Sequence, residues 1–117
     1  AGNRNVADIF QGGDMNMADV SQSGGRNYFG IVQVGDENVA MGDQSGNQNN
    51  ADMEQIGDGN LFDATQSGNR NNIGATSPYD PTLPAFQVGD GNSAIAVQSG
   101  DRNDSVMQQT GNNNSLN

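Results

Sequence analysis

At 117 residues the chain has the length of one domain, yet only 32% of it is apolar and 5% aromatic, too little for an ordinary globular core. It contains no Cys and no His, which excludes disulfide scaffolds, thiolate or imidazole metal centres and every catalytic triad built on those side chains. Fourteen acids against four arginines give a formal charge of −10, which makes nucleic acid and anionic membrane unfavourable partners. No run approaches the roughly 18 consecutive apolar residues of a membrane helix, so no membrane insertion is expected, and the first residues do not read as a cleavable leader.

Taken in chain order, the elements are copies of one cassette, QxGxxN. A truncated copy opens the chain as Gly2 and Asn5. Full copies start at Gln11 (with Gly13 and Asn16), Gln22 (Gly24, Asn27), Gln33 (Gly35, Asn38), Gln44 (Gly46, Asn49), Gln55 (Gly57, Asn60) and Gln66 (Gly68, Asn71), each 11 residues after the last. Three more start at Gln87 (Gly89, Asn92), Gln98 (Gly100, Asn103) and Gln109 (Gly111, Asn114). Cassettes alternate between a QSG kind (Gln22, Gln44, Gln66, Gln98) and a QVGD or QIGD kind (Gln33, Gln55, Gln87), so the full unit is 22 residues. The interval from Gln66 to Gln87 is 21. The alternation survives only if these two cassettes are consecutive, which makes Ser77–Phe86 (SPYDPTLPAF) an insertion carrying all three prolines. The organisation is then residues 1–76 as cassettes, 77–86 as a Pro-rich loop, and 87–117 as cassettes continuing the same domain.

Eleven residues hold a short strand and a turn, and Gly-x-x-Asn is turn chemistry because Gly and Asn tolerate positive φ. Between Asn and the next Gln, side chains alternate. One face carries Ala7 and Ile9, Ala18 and Val20, Phe29 and Ile31, Ala40 and Gly42, Ala51 and Met53, Phe62 and Ala64, Ile73 and Ala75, Ala94 and Ala96, Ser105 and Met107, with no charge among them. The other face holds Asp8, Asp19, Asp43, Asp52, Glu54, Asp63 and Asp104. This predicts an all-β solenoid of about five coils, each giving one strand to each of two facing sheets. At about 4.8 Å per coil the column is roughly 24 Å tall, with the repeated Gln and Asn stacked as amide ladders and the repeated Gly in the turns. The chain opens (AGNRN) and stops (NNNSLN) inside a cassette with no capping element, so the ends are expected to stack on further copies.

These residues resemble the curlins, subunits of bacterial curli amyloid fibres. The curlin repeat QxGxxNxAxxxQ is met in full by Gln11–Gln22 (QGGDMNMADVSQ), Gln33–Gln44 (QVGDENVAMGDQ), Gln44–Gln55 (QSGNQNNADMEQ) and Gln87–Gln98 (QVGDGNSAIAVQ). The resemblance implies export across an outer membrane and nucleated polymerisation into extracellular cross-β fibres of the biofilm matrix. It implies head-to-tail self-assembly, with a nucleator subunit, the secretion machinery and other matrix components as further partners. In that family the terminal repeats govern nucleation and growth, and the matching positions are Gln11, Asn16, Gln109 and Asn114. The Ser that opens many major-subunit repeats is replaced by Asn16, Asn27 and Asn38, and the polar secretion segment expected before the first repeat is missing.

No catalytic constellation and no cofactor are expected, because the acids are spread along turns and outer faces rather than gathered in a cleft. The turn line Asp14, Asp36, Asp58 and Asp90 is read as turn chemistry rather than a calcium ladder. The line Arg4, Arg26, Gln48, Arg70 and Arg102 is read as a solvated edge. Two outward apolar rows, Met17–Val39–Leu61 and Val6–Tyr28, could join columns laterally, and Tyr79 and Phe86 would anchor any contact made by the insert. The competing function is a monomeric binding solenoid, an ice-binding or calcium-stabilised adhesin module, disfavoured because only Thr65 and Thr76 could begin an outward Thr row.

Overall fold

The computed structural model describes residues 2–74 and 84–117. Among them every regular element is a strand and every pairing is parallel. One sheet stacks β1 (Gly2–Asn3), β3 (Met17–Gly25), β5 (Val39–Asn47), β7 (Leu61–Asn69), β10 (Ser93–Ser99) and β13 (Ser115–Leu116) in that order. The other stacks β2 (Val6–Gly12), β4 (Tyr28–Val34) and β6 (Asn50–Ile56). It continues through β8 (Asn72–Ile73) and β9 (Ala85–Val88) to β11 (Asp104–Ser105) and β12 (Gln108–Thr110). Consecutive strands therefore lie in opposite sheets, and each pairs with the strand one coil away: a two-sheet β-solenoid of about five coils.

The register repeats the sequence phase. Gln22 pairs with Gln44 and Gln44 with Gln66 in the first sheet, while Gln11 pairs with Gln33 and Gln33 with Gln55 in the second, all at offsets of 22. Past the segment 75–83 the offset becomes 32, with Gln55 opposite Gln87 and Gln66 opposite Gln98. Most of the expected insert lies outside the described residues, but its C-terminal boundary requires correction. Ala85 and Phe86 belong to β9, opposite Met53 and Glu54, so the inward place assigned to Ala75 is filled by Ala85. Gly74 accounts for the exit point: at φ 85° it turns the chain away after Ile73, and a Cβ there would collide with the Asp52 carbonyl and the Ala85 amide.

The core is a single row of side chains between the sheets. Phe29, Ile31, Ala51, Met53, Ile73, Ala85 and Met107 come from one sheet, and Ala40, Phe62, Ala64, Ala94 and Ala96 from the other. Large residues face small ones across so thin a space. Gly42 is the extreme case, since a Cβ on it would run into the Phe29 ring.

Among the described residues, all ten cassette turns share one backbone path. The cassette Gly has positive φ, and the residue two places later sits in the left-handed region: φ is 57–61° at Arg4, Met15, Arg26, Glu37, Gln48, Arg70, Arg102 and Asn113, and 65° at Gly59 and Gly91. At Gly35 (φ 119°) a Cβ would strike the Gly57 carbonyl of the next coil, so only glycine lets the turns stack this closely. Backbone bonds also run from turn to turn, such as Gly35 N–H to Gly12 O at 3.0 Å and Glu37 N–H to Asp14 O at 2.9 Å. The molecule measures 34 × 22 × 22 Å. Five coils at about 4.8 Å account for a short dimension, so the strands run along the long one and the turns form its two opposite edges.

Candidate assembly interface

The glutamines form two ladders. In the second sheet the Nε2 of each donates to the Oε1 of the next: Gln11 to Gln33 (2.7 Å), Gln33 to Gln55 (2.9 Å), Gln55 to Gln87 (3.0 Å) and Gln87 to Gln109 (2.7 Å). In the first sheet the run is Gln22 to Gln44 (2.8 Å), Gln44 to Gln66 (2.7 Å) and Gln66 to Gln98 (3.0 Å). The second amide hydrogen crosses the core to a backbone carbonyl of the facing sheet, as from Gln33 to Met17 O (3.0 Å), Gln44 to Tyr28 O (2.8 Å) and Gln66 to Asn50 O (2.9 Å). Each amide thus joins coil to coil and sheet to sheet, which is why a primary amide recurs at this buried position.

The asparagines hold the turns. The Oδ1 of Asn5, Asn16, Asn27, Asn38, Asn49, Asn60, Asn71 and Asn92 accepts the backbone N–H of Asn27, Asn38, Asn49, Asn60, Asn71, Asn92, Asn103 and Asn114 respectively, at 2.9–3.1 Å. The Nδ2 groups of Asn16, Asn27, Asn49 and Asn71 donate both to a carbonyl of their own turn and to the cassette Gly carbonyl of the next coil. Among the described residues, Asn92 Nδ2 alone is a buried side-chain polar atom without a partner.

The turn aspartates are a third ladder. Asp36 and Asp58 accept the backbone N–H of Asp14 and Asp36 through Oδ1 at 2.8 Å, Asp90 accepts that of Asp58 at 3.1 Å, and Asn112 takes the same role towards Asp90 at 3.0 Å. Among the described residues no group of three or more acids is placed to hold a metal ion. On the opposite edge the arginines line up with Gln48, whose Oε1 accepts from Arg70 Nε at 3.0 Å.

Outside the sheets, Met17, Val39 and Leu61 are adjacent, as are Val6 and Tyr28. Sequence reasoning missed a larger apolar area on the second sheet, where Phe10 and Val32 adjoin Val34, Ile56 and Val88. The signal was the recurrent aliphatic residue after Gln in the QVGD and QIGD cassettes. Beside it, Asp8 and Asp52 flank Gly30, where a Cβ would lie 2.8 Å from Asp52 Oδ1 and 3.0 Å from the Tyr28 hydroxyl. Burial, then the charge of Asp8, raises the Asp52 carboxyl above its ordinary value, against a Met53 backbone hydrogen bond that lowers it. The Tyr28 hydroxyl is raised by burial and by Asp52 and Asp8.

Among the described residues, β2 pairs with β4 alone, and β12 with β9 alone. β13 covers Ser93 and Ala94, leaving Ile95–Ser99 with no further strand among the described residues. There the core ends in a recess of about 320 Å³ whose walls include Ala96, Gln98, Met107 and Leu116.

No curated protein and no solved structure matches the chain. The family model of the curlin associated repeat matches residues 1–24, 26–57 and 89–117, most of its length. That family is associated with extracellular curli fibres, and its repeat on a β-solenoid is of a structural, non-enzymatic kind. Phase, register and amide ladders run through the matched segments and continue between them at Asn60, Gln66, Asn71 and Gln87, and the chain belongs to the curlin repeat family.

Proposed function

We propose that the chain is a structural subunit of an extracellular, curli-like amyloid fibre, grown by end-to-end stacking of its coils in a biofilm matrix. One observation carries this reading. The sheets and ladders run in register through the described column, and at its two ends they leave the Ile95–Ser99 edge without a further strand among the described residues and the inward Ile9 42% exposed. An exposed parallel edge is a template for another strand, and a further coil would meet its own repeat there. The Gln and Asn of the cassettes serve as ladder residues between subunits as they do within one, and the turn glycines admit the close approach. Export machinery, a nucleating subunit and other matrix components are the partners such a fibre needs.

The test is dilution from denaturant at micromolar concentration, with and without sonicated product, followed by thioflavin fluorescence and fibre diffraction. The expected result is a lag that seed abolishes and a meridional spacing of about 4.8 Å. A folded, strand-rich monomer that grows in neither tube would overturn the reading in favour of a binding solenoid.

A further inference from the structure

The two edges of the column carry opposite charge. One is formed by the turns holding Arg4, Arg26, Arg70 and Arg102, the only cations in the chain, with Gln48 in the middle coil and a single acid, Asp101, beside Arg102, where its Oδ1 accepts from Asn69 N–H at 2.9 Å. The other is formed by the turns holding Asp14, Asp36, Glu37, Asp58 and Asp90, with no cation. All ten charged side chains are exposed. Each row is held straight by the coil ladder: the backbone N–H groups of Arg26, Gln48, Arg70 and Arg102 donate to carbonyls of the preceding turn, and the aspartates are tied through Oδ1. The second carboxylate oxygen of Asp36, Asp58 and Asp90 remains for a partner, while the arginine edge opens as a groove of about 760 Å³ bordered by Arg4, Arg26, Gln48 and Arg70.

We infer that the arginine edge docks the aspartate edge of a second copy of this chain, side by side and coil for coil. Both rows repeat once per coil, at about 4.8 Å, so in register Arg4, Arg26 and Arg70 of one column meet Asp14, Asp36 and Asp90 of the next without either backbone adjusting, while Gln48 falls opposite Asp58 and Arg102 opposite Asn112. Within an isolated column like charges at that spacing repel, and a row of opposite charge relieves both. A single exposed ion pair contributes little, but a row of them on rigid turns acts as a network. The contact joins two different surfaces and so does not close on itself: each docked copy offers a free edge to the next, and columns associate as ribbons. In a fibre this contact rests on the stacking proposed above, while the edges themselves are present in a single copy.

The test uses two edge variants of the full chain. Arg4, Arg26, Arg70 and Arg102→Asn removes the positive edge while keeping a residue that accepts the left-handed conformation. Asp14, Asp36, Asp58 and Asp90→Asn removes four charges from the acidic edge and keeps the Oδ1 acceptor, as Asn112 does naturally. Fibre width is read by electron microscopy where the Debye length is about 10 Å, and again in 1 M salt where it is about 3 Å. Wild-type fibres are expected as ribbons in the first condition and single columns in the second. Each variant alone is expected as single columns in both, while preformed fibres of the two variants, once mixed, should pair. Ribbons from either variant alone, or no pairing on mixing, would overturn the inference. So would single wild-type columns that co-sediment with alginate at low salt, which would assign the edge to an anionic polymer instead. If no chain forms fibres, the stacking reading has failed separately. Sedimentation velocity of the soluble chains under the same salts then reads the contact, with association of the mixed variants expected and its absence overturning it.

Discussion

The first coil and the middle coils have the same cassettes, turns and ladder bonds, but they differ in exposure. Phe29, Gln33, Ala40, Gln44, Met53 and Phe62 are within 2% of complete burial, and Ile31 is 2% exposed, whereas its inward first-coil partner Ile9 is 42% exposed. Nothing in the local sequence of Val6–Gly12 explains this, since Ala7, Ile9 and Gln11 point inward like their successors. The difference is a missing neighbour. A coil of this protein acquires a buried core only when coils lie on both sides of it, so stability comes from the stack rather than from the repeat.

The comparison can be broken most forcefully in the ladders. Gln44→Ala removes donors to Gln66 Oε1 and Tyr28 O in the buried middle of the column and should cost about 3 kcal/mol or more, read from urea unfolding of the monomer. Gln11→Ala loses the 2.7 Å bond to Gln33 at the exposed end and should cost about 1 kcal/mol or less. Equal losses at the two positions would refute the idea that neighbours make the difference. Next in size is Gly42→Ala, whose added methyl meets the Phe29 ring and should cost about 1–3 kcal/mol, with part recovered by Phe29→Leu in the same chain. In the first coil, Gly12→Ala, at an outward position opposite Val34, has only an ordinary contact with the Phe10 ring and should stay within about 0.5 kcal/mol of wild type.

Turn strain should ignore the comparison altogether. Met15→Asn and Glu37→Asn each relieve a left-handed residue, and both should raise the urea midpoint by a similar amount, about 0.5 kcal/mol, although one turn belongs to the end and the other to the middle. The smallest effect expected is in the acid range. The folded chain holds the Asp52 proton more tightly than the unfolded chain does, since burial and Asp8 raise the carboxyl above its ordinary 3.8. The resulting stabilisation is complete below the unfolded value and is lost as pH rises through the folded one. The urea midpoint of the wild type should therefore rise on acidification through this window relative to Asp52→Asn, and parallel profiles would count against the assignment.

The fold was legible in the sequence to the extent that it repeats. Gln, Gly and Asn recur because every coil imposes the same conditions on them, and a period of 22 is itself the register of a parallel stack. What was not legible depends on single contacts. The insert boundary slipped because Ala75 and Ala85 both satisfy the inward position, and only the conformation of Gly74 decides between them. The aspartate line was rightly placed in the turns, but its bond to the backbone of the preceding coil requires side-chain geometry. Gly42 looked like a weak core residue until the Phe29 ring was found in the space of its absent side chain.

The glutamine ladders also have a direction. Every rung passes its hydrogen the same way, from the earlier coil to the later, in both sheets. The glutamine dipoles therefore add along the axis, as peptide dipoles do in a helix, while the Asn60, Asn103 and Asn114 amides donate back to the earlier coil. A copy arriving upside down would bring hydrogen to hydrogen or oxygen to oxygen at both rows. Orientation in such a polymer would be proofread at each addition by two amides, and its two ends would be chemically different and grow at different rates.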